Sequence, residues 1–348
     1  MKKIIKMGIV GMTSDHVWNM AQNLAALPAV ELTTGAEPYQ ELRQQVQERF
    51  GLKTVYEDYH EMFEQEALDA ILACGDNAGK ADIVEEAARH GVHVYQDKPM
   101  AATLAQADRI VAAAEEYGIK VMIAYHNYFG AAYGKVKEWL DGGKIGDVYL
   151  ARAGIGHAGP KEIGCSKYFC EWLFDKERNG GGTFVDEGCY TVSTFLDYLG
   201  EVAEVSSFMT QMGWRDYLPP DVEDNSVTIL RFKSGVLGVI DCKWGQIGRM
   251  PFGSSYHGTE GTVTASWTGL SLYSRKALPE ELQGWVELSV GREPRPGLGS
   301  EAEHFVNCLL EDRPFEGAVS PRGARATQEV IEAAYRAAET GQVVKLPL

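Results

Sequence analysis

The first 123 residues alternate between short apolar runs and amphipathic stretches. The apolar runs read IIKMGIVG, VELTTGA, LDAILACG, GVHVYQD and IKVMIAY. Between them, stretches such as HVWNMAQNLAAL, AGKADIVEEAARHG and TLAQADRIVAAAEEYG carry apolar residues at helical spacing. The last two end at Gly91 and Gly118, and glycine commonly ends a helix. This alternation predicts an α/β domain with a doubly wound parallel sheet, whose strands are apolar because helices cover both faces.

The pattern changes near residue 124. One amphipathic helix, YGKVKEWLDGG, leads into stretches that alternate between apolar and polar residues, among them DNSVTILRFKSGVLGVIDCKWG, SSYHGTEGTVTASWTG and GWVELSV. The FKSG turn predicts a hairpin. A helix is expected from SPRGARATQEVIEAAYRAAETGQ, which starts at a proline. We predict two domains, residues 1–123 and 124–348, the second an α+β domain with a mostly antiparallel sheet.

Composition narrows the classes of function. The chain has 348 residues, 45% of them hydrophobic and 24% charged, as in soluble enzymes. A net charge of −16 opposes binding to nucleic acids and anionic membranes, and no apolar run approaches the roughly 20 residues that span a bilayer. The start, MKKIIKMGIVG, predicts a strand rather than a signal peptide. Six scattered cysteines without a CxxC pair predict reduced thiols in a cytoplasmic protein.

The stretch GMTSDHVWNM, residues 11–20, follows the first predicted strand, where nucleotide-binding proteins carry a glycine-rich phosphate loop. Gly8 and Gly11 are in place, whereas Thr13 and His16 stand where the second and third glycines would fall. Backbone N–H groups at the start of a helix, helped by hydroxyl groups, could still bind a pyrophosphate. The alternative is a strand, turn and helix that bind no ligand.

Glu37 ends the second apolar run, 29 residues after Gly8. A carboxylate at this position could accept hydrogen bonds from an adenosine ribose and would oppose a 2′-phosphate. The sequence therefore favours NAD over NADP, although Arg43 is close enough in sequence to leave NADP open.

Three further segments carry candidate chemistry. Lys98 precedes Pro99 at the end of a predicted strand, where open α/β sheets bind ligands, so it could orient a hydroxyl or move a proton. Asp186 and Tyr190, four residues apart in GGGTFVDEGCYTVSTF, would share one face of a helix and could relay a proton beside a lysine. The alternatives are an exposed structural lysine, a capping aspartate and a half-buried tyrosine.

His126 and Tyr128, in AYHNYFG, could line a pocket that binds sugar faces, or could belong to the core. No metal is predicted, because the spacing of the histidine, cysteines and glutamate between residues 157 and 189 matches no zinc pattern.

Together these motifs resemble the Gfo/Idh/MocA family of NAD(P)-dependent oxidoreductases over essentially the whole chain. The matching stretches include LDAILACG, GVHVYQDKPMA, AYHNYFGAAYGKVKEWLDGGKIGDV, GGGTFVDEGCYTVSTFLDYLG, EAEHFVNCLLEDRPF and IEAAYRAAETGQVVKL. The resemblance implies a Rossmann domain followed by a domain with a large open antiparallel sheet, which often joins subunits into dimers or tetramers. It also implies oxidation or reduction of sugars, inositols and related polyols.

Carried over by position, Lys98 matches the lysine of the family's Glu-Lys-Pro motif, with Asp97 in place of glutamate. Asp186 matches the aspartate after the glycine run, and Tyr190 stands where most members have a catalytic histidine and some have tyrosine. The resemblance then places a substrate hydroxyl between Lys98 and Tyr190, with hydride passing to or from the nicotinamide. A nearby lysine and the cationic nicotinamide of NAD⁺ would favour a phenolate.

The resemblance also implies the binding residues. Those expected to bind the cofactor are Gly8, Gly11, Met12, Thr13, Ser14, His16, Glu37, Gly75, Asp76, Lys98 and Pro99. Those expected to bind the substrate are Lys98, His126, Tyr128, Asp186 and Tyr190. The departures lie in the same places: Gly75 and Asp76 replace a usual Thr-Pro pair, Lys80 a usual histidine, and Tyr128 a common arginine.

Three functions are consistent with this set. The first is an NAD(H)-dependent dehydrogenase acting on a secondary alcohol of a sugar, glycoside or polyol. The second is cleavage of a glycoside with transient oxidation by a retained NAD, which would release an aglycone without net NADH. The third is a non-catalytic sugar- or partner-binding protein, supported by the altered glycine loop and opposed by the presence of Lys98, Asp186 and Tyr190.

Overall fold

A computed structural model of the chain describes residues 4–248, 253–266, 269–276, 285–289 and 293–348. The chain divides into two compact units. The first contains residues 1–125, 164–181 and 300–328, and the second contains residues 126–163, 182–299 and 329–348.

The first unit alternates strands and helices. Its elements up to residue 124 are β1 (Ile5–Val10), α1 (His16–Ala25), β2 (Val30–Ala36), α2 (Gln40–Phe50), β3 (Thr54–Tyr56), α3 (Tyr59–Gln65), β4 (Ala70–Ala73), α4 (Lys80–Arg89), β5 (His93–Asp97), α5 (Leu104–Tyr117) and β6 (Val121–Ala124). The later segments add α7 (Lys167–Leu173), α8 (Lys176–Asn179), α10 (Glu301–Leu310) and the start of α11 (Pro321–Thr340).

The strands of this unit form a parallel sheet in the order β3-β2-β1-β4-β5-β6. The order reverses between β1 and β4, and such a switch point is where open α/β sheets bind ligands. The predicted doubly wound sheet is confirmed. The sequence missed β3, because this edge strand has three residues and none is fully buried, so it carries no apolar run.

Two glycines predicted at helix ends adopt left-handed backbone conformations. Gly118 is the C-cap residue of α5, with φ of 66°, and Gly91 follows the C-cap residue of α4, with φ of 69°. The start of α5 has a capping box, in which the Thr103 side chain accepts from the Gln106 N–H and the Gln106 side chain accepts from the Thr103 N–H. These local signals explain why the helix ends were predictable.

The second unit is built on a larger sheet. Its described elements are α6 (Ala131–Asp141), β7 (Val148–Gly156), α9 (Cys189–Leu199), β8 (Val202–Thr210), β9 (Asn225–Phe232), β10 (Leu237–Lys243), β11 (Ser254–Gly258), β12 (Gly261–Ala265), β13 (Gly269–Ser274), β14 (Trp285–Ser289), the end of α11 and β15 (Val344–Lys345). The strand order is β14-β13-β12-β11-β7-β10-β9-β8-β15.

Most neighbouring strands of this sheet are antiparallel, and β7 pairs with β10 in parallel. The predicted architecture is therefore confirmed. The FKSG hairpin joins β9 and β10, with the Phe232 N–H donating to the Val236 carbonyl over 2.9 Å. Two predicted strand stretches reach outside the described residues, at Trp267 and Thr268 in one and at Gly284 and Val290 in the other.

One face of this sheet is covered and the other carries exposed apolar side chains. Along β9 the side chains of Ser226, Thr228, Leu230 and Phe232 are buried, whereas Val227 and Ile229 are 42% and 44% exposed. Phe208, opposite Val227 on β8, is 72% exposed. A regular alternation of this kind belongs to a sheet with one face open.

Two simpler predictions concern the membrane and the cysteines. No helix among the described residues is long and apolar enough to cross a membrane. The six cysteines are unpaired thiols, and all but Cys165 are buried, as predicted.

Candidate functional site

A cleft of about 440 Å³ opens in the first unit at the carboxyl ends of β1, β2 and β4. Among the residues that line it are Gly11, Thr13, Glu37, Gly75, Asp76 and Arg178. The sequence predicted the first five of these at a cofactor site.

Gly11 and Gly75 bring the loop after β1 against the loop after β4. Gly11 has φ of 73°, and a Cβ atom there would lie 2.6 Å from the Gly75 backbone nitrogen, so no other residue fits. Gly8 lies inside β1 instead, where a Cβ atom would lie 3.0 Å from Cδ1 of Leu68. Its small size therefore serves packing of the sheet.

Glu37 is 1% exposed and holds the loop from the end of β2. Its carboxylate accepts hydrogen bonds from the Met12 N–H at 2.6 Å and the Tyr39 N–H at 3.0 Å. Burial raises the pKa of Glu37, against the two backbone hydrogen bonds and the charge of Arg43. The Arg43 guanidinium donates to the carbonyl oxygens of Glu37 and Pro38, each at 2.7 Å.

Ser14, just before α1, and His16, its first residue, both contact Asp97 at the end of β5. The Ser14 hydroxyl donates to Asp97 over 2.8 Å, and Nδ1 of His16 lies 3.0 Å from both carboxylate oxygens of Asp97. Burial alone would raise the pKa of Asp97, but the charges of His16, Lys80 and Lys98 outweigh it and hold that pKa well below its usual value. Asp97 is therefore an ionised acceptor at the floor of the loop.

A free carboxylate at Asp15 would repel a bound phosphate, but this carboxylate is engaged by another segment of the chain. Its carboxylate accepts the Ser166 N–H at 2.7 Å, in the 164–181 segment. The same segment supplies Arg178, whose Nε donates to Asp76 over 2.9 Å and whose guanidinium lines the cleft. Arg178 could not be predicted from the sequence, because no local pattern links a residue just before the glycine run to a cleft formed about 100 residues earlier.

The lysine of the DKP turn is buried, and its backbone is held by a second buried lysine. Lys98 is 4% exposed, and its peptide bond to Pro99 is cis. The ammonium group of Lys80 donates to Asn77 Oδ1 and to the carbonyl oxygens of Asp97, Lys98 and Pro99, at 2.8 to 3.2 Å. Four oxygens compensate the burial of this charge. Lys80, noted in the sequence only as a departure, thus fixes the turn that carries Lys98.

The other predicted catalytic residues belong to the second unit. Asp186 lies in a π-helical turn (Phe184–Gly188), and Tyr190 lies in the first turn of α9, which continues it. The indole N–H of Trp244 donates to Asp186 Oδ2 over 3.2 Å. The sequence predicted helical spacing but not the π turn, since one extra residue per turn leaves no local signature.

His126 and Tyr128 lie in a 3₁₀ turn (His126–Phe129) of the same unit. The His126 ring is 4.5 Å from the Tyr190 ring, and His126 is exposed. Tyr128 packs against Phe129 and Tyr133, at ring distances of 5.3 Å. His126 is therefore beside the predicted acid/base group, while Tyr128 belongs to an aromatic cluster.

A buried carboxyl group caps the start of the helix that carries Asp186 and Tyr190. Glu223 accepts the N–H groups of Gly182 and Phe184 at 2.8 and 2.9 Å and the hydroxyl of Tyr335 at 2.7 Å. Burial raises the pKa of Glu223 to about 7, against these hydrogen bonds.

Three side chains of this unit, His157, Asp186 and Glu187, lie close enough together to suggest a metal site. The Gly159 N–H donates to Nδ1 of His157 over 3.0 Å, so the ring proton of neutral His157 is on Nε2, which faces Glu187 at 3.5 Å. This geometry fits a histidine–glutamate pair, and the prediction that no metal binds stays a prediction.

The predicted site residues thus belong to two different units of the chain. The cofactor residues and Lys98 belong to the first unit, and Asp186, Tyr190, His126 and Tyr128 to the second.

Residues 5–125 match the oxidoreductase family with an NAD-binding Rossmann fold, and residues 133–264 match the GFO/IDH/MocA C-terminal domain. Myo-inositol 2-dehydrogenase of Thermotoga maritima is 25% identical over 238 residues, which cover 68% of each chain. D-xylose 1-dehydrogenase [NADP(+)] of Haloarcula marismortui is 25% identical over 291 residues, 84% of this chain and 78% of the relative.

A solved structure of levoglucosan dehydrogenase in complex with NADH and levoglucosan superposes with a TM-score of 0.86 at 20% identity, covering 99% of this chain and 100% of that one. At this identity the likeness supports the fold. The family matches together span well over half of the chain, on both units. This chain belongs to the Gfo/Idh/MocA family of oxidoreductases, and its first unit contains the family's NAD-binding Rossmann domain.

Proposed function

We propose that this protein is an NAD(H)-dependent oxidoreductase that transfers hydride between nicotinamide and a secondary hydroxyl or keto group of a sugar, glycoside or polyol. The observation that carries the proposal is the retained cleft, closed by Gly11 against Gly75 and backed by the buried Glu37. Support for the substrate class comes from relatives named as myo-inositol and D-xylose dehydrogenases.

The residues of the cleft fit a dinucleotide. Gly11 leaves room that a Cβ atom would fill, and α1 begins beside it, so its first N–H groups can receive a phosphate. We propose that Gly11, Met12, Thr13, Ser14, His16, Glu37, Gly75, Asp76, Lys98 and Pro99 form the cofactor site, and that Gly8 supports it from within β1 through close packing. NAD is preferred to NADP in this proposal, because Arg43 is engaged by two carbonyl oxygens while the Glu37 carboxylate would repel a 2′-phosphate.

In the proposed reaction, Lys98 donates a hydrogen bond to the oxygen of the substrate hydroxyl. Tyr190 takes the proton of that hydroxyl during oxidation and returns it during reduction. Bound nicotinamide would supply the hydride acceptor or donor. Asp186, oriented by Trp244, accepts a hydrogen bond from a neighbouring hydroxyl of the substrate. His126, exposed and beside the Tyr190 ring, offers the proton a route to solvent, and Tyr128 offers an aromatic face to a sugar ring.

Kinetics of two variants test these roles. Tyr190→Phe and Lys98→Ala are each expected to lower the rate of NADH formation by about 100-fold or more, the usual scale for acid–base groups. Tyr128→Phe keeps the ring and removes only a hydroxyl, so a much smaller change is expected. Near-normal rates in both Tyr190→Phe and Lys98→Ala would refute the assigned roles.

The remaining proposals concern setting and assembly. We propose residues 1–123 as the dinucleotide-binding domain and residues 124–348 as the domain for substrate binding and assembly into a homodimer or homotetramer through the large sheet. A cytoplasmic location is proposed from the six unpaired cysteines.

A further inference from the structure

The loop after β1 has lost two glycines and gained a charged pair. Thr13 and His16 stand at the positions of the missing glycines, and His16 is the first residue of α1. A glycine at the position of Thr13 would let the backbone approach a pyrophosphate closely, and a glycine at the position of His16 would let the helix pack closely on the strand. A chain without them needs another source of attraction for the phosphates.

The His16 ring is held by Asp97 in a defined orientation. Nδ1 lies 3.0 Å from both oxygens of the buried Asp97 carboxylate, which also accepts the Ser14 hydroxyl. Because ionised Asp97 only accepts hydrogen bonds, Nδ1 carries a proton. Nε2 points away from this carboxylate, and the side chain is 37% exposed.

Beside Asp97, the groups next to His16 are an aromatic ring and a carboxylate that is already engaged. Phe169 packs its ring 5.5 Å from the imidazole, and the Asp15 carboxylate is engaged by the Ser166 N–H. The charges of Lys80 and Lys98 also favour the ionised form of Asp97. A doubly protonated His16 would therefore lie between one buried carboxylate and whatever anion enters at the start of α1.

We propose that His16, oriented by Asp97, is the cation that binds the pyrophosphate of the dinucleotide and replaces the contacts of the missing glycines. The inference rests on the proposed function, because it takes the cleft to be the dinucleotide site.

Calorimetric titration of the full chain with three probes tests the inference. ADP-ribose and NAD⁺ contain the pyrophosphate, and adenosine lacks it. His16→Gln is expected to weaken binding of ADP-ribose and NAD⁺ by about tenfold or more, on the scale of one charge-assisted hydrogen bond, and to leave adenosine binding unchanged.

His90→Gln is the matched control. His90 is also a partly exposed histidine paired with a carboxylate, Glu86 at 3.3 Å, but it lies at the C-cap of α4, at the opposite edge of the sheet from the loop. It should bind all three probes like the natural protein. Asp97→Asn, which keeps an acceptor and removes the charge that faces His16, should also weaken ADP-ribose binding and leave adenosine binding unchanged.

The outcomes separate the two proposals. Equal ADP-ribose affinity in the natural protein and His16→Gln would overturn the role of His16 and leave the dehydrogenase intact. Loss of adenosine binding in His16→Gln would also overturn it, since the effect would then not be specific to the pyrophosphate. Absence of binding by the natural protein would overturn both, whereas His16-dependent binding without hydride transfer would overturn only the proposed reaction.

Discussion

At the scale of single residues, the cleft depends on buried polar side chains that hydrogen-bond to backbone groups. Glu37 accepts two N–H groups of the surrounding loops, and Lys80 donates to three successive carbonyl oxygens of the DKP turn. Because each of these charged groups is buried, removing one leaves its hydrogen-bond partners buried and unpaired. The loops after β1 and β2 and the turn that carries Lys98 are thus held in place by buried hydrogen bonds.

Glu37 is expected to decide between the two dinucleotides. Glu37→Gln keeps one acceptor for the loop N–H groups and removes the charge that opposes a 2′-phosphate. NAD⁺ affinity should fall several-fold, and the ratio of NAD⁺ to NADP⁺ affinity should narrow by about tenfold. Titration of both proteins with both dinucleotides measures this. Tighter binding of NADP⁺ than of NAD⁺ by the natural protein would contradict this role of Glu37.

The positions of the residues at this sheet edge could be predicted from the sequence, but their contacts could not. Gly11, Glu37 and Lys98 could be predicted because each follows an apolar run that ends at the same sheet edge. The pairing of His16 with Asp97 spans 81 residues, and that of Arg178 with Asp76 spans 102. Neither leaves a local pattern, so only the folded chain shows them.

At the scale of elements, the helix that carries Asp186 and Tyr190 begins with N–H groups that have no partner within the helix. Glu223 and Tyr335 accept them in place of an N-cap side chain. The alternation of β9 was readable in the sequence, whereas this cap was not, because Glu223 reaches it from a loop about 40 residues later in the chain.

Glu223→Ala should therefore destabilise the protein by about 2 kcal/mol or more, since it leaves buried N–H groups unpaired. It should lower kcat more than it changes KM, because it displaces Asp186 and Tyr190. Tyr335→Phe removes one hydroxyl and should have a smaller effect on both. Urea unfolding and steady-state kinetics measure the two effects, and unchanged stability in Glu223→Ala would refute the cap.

The same residue predicts a pH dependence. The pKa of Glu223 is about 7 in the folded protein, against an ordinary value of 4.5, so the folded state keeps its proton to higher pH than the unfolded state. The free energy of unfolding of the natural protein should fall relative to that of Glu223→Ala as pH rises from 4.5 to about 7. A difference that grows over this range would have the wrong sign.

At the scale of the whole molecule, the local pattern predicted both architectures, because the periods of helices and strands are properties of a few neighbouring residues. It did not predict that residues 164–181 and 300–328 belong to the first unit. The return of these two segments to the first unit depends on long-range packing. It brings Arg178 to the cleft, and no periodicity in the sequence marks it.

The open face of the large sheet predicts self-association. Phe208 and Val227 lie opposite each other on neighbouring strands, and Ile229 continues the apolar patch. The natural protein should sediment as a dimer or tetramer, and a Val227→Lys, Ile229→Lys variant should sediment as a smaller species. Leu310→Lys, at an exposed leucine of α10 outside the large sheet, should leave the mass unchanged. A monomeric natural protein at micromolar concentration would contradict this use of the sheet.

The most direct test of the central claim is to supply the natural protein with NAD⁺ and a panel of inositols, aldoses, glycosides and anhydrosugars, and to quantify NADH and ketone product together. The account predicts that at least one compound yields NADH and its ketone in equal amounts. Release of an aglycone without NADH, or binding of NAD⁺ and sugar with neither product, would contradict it.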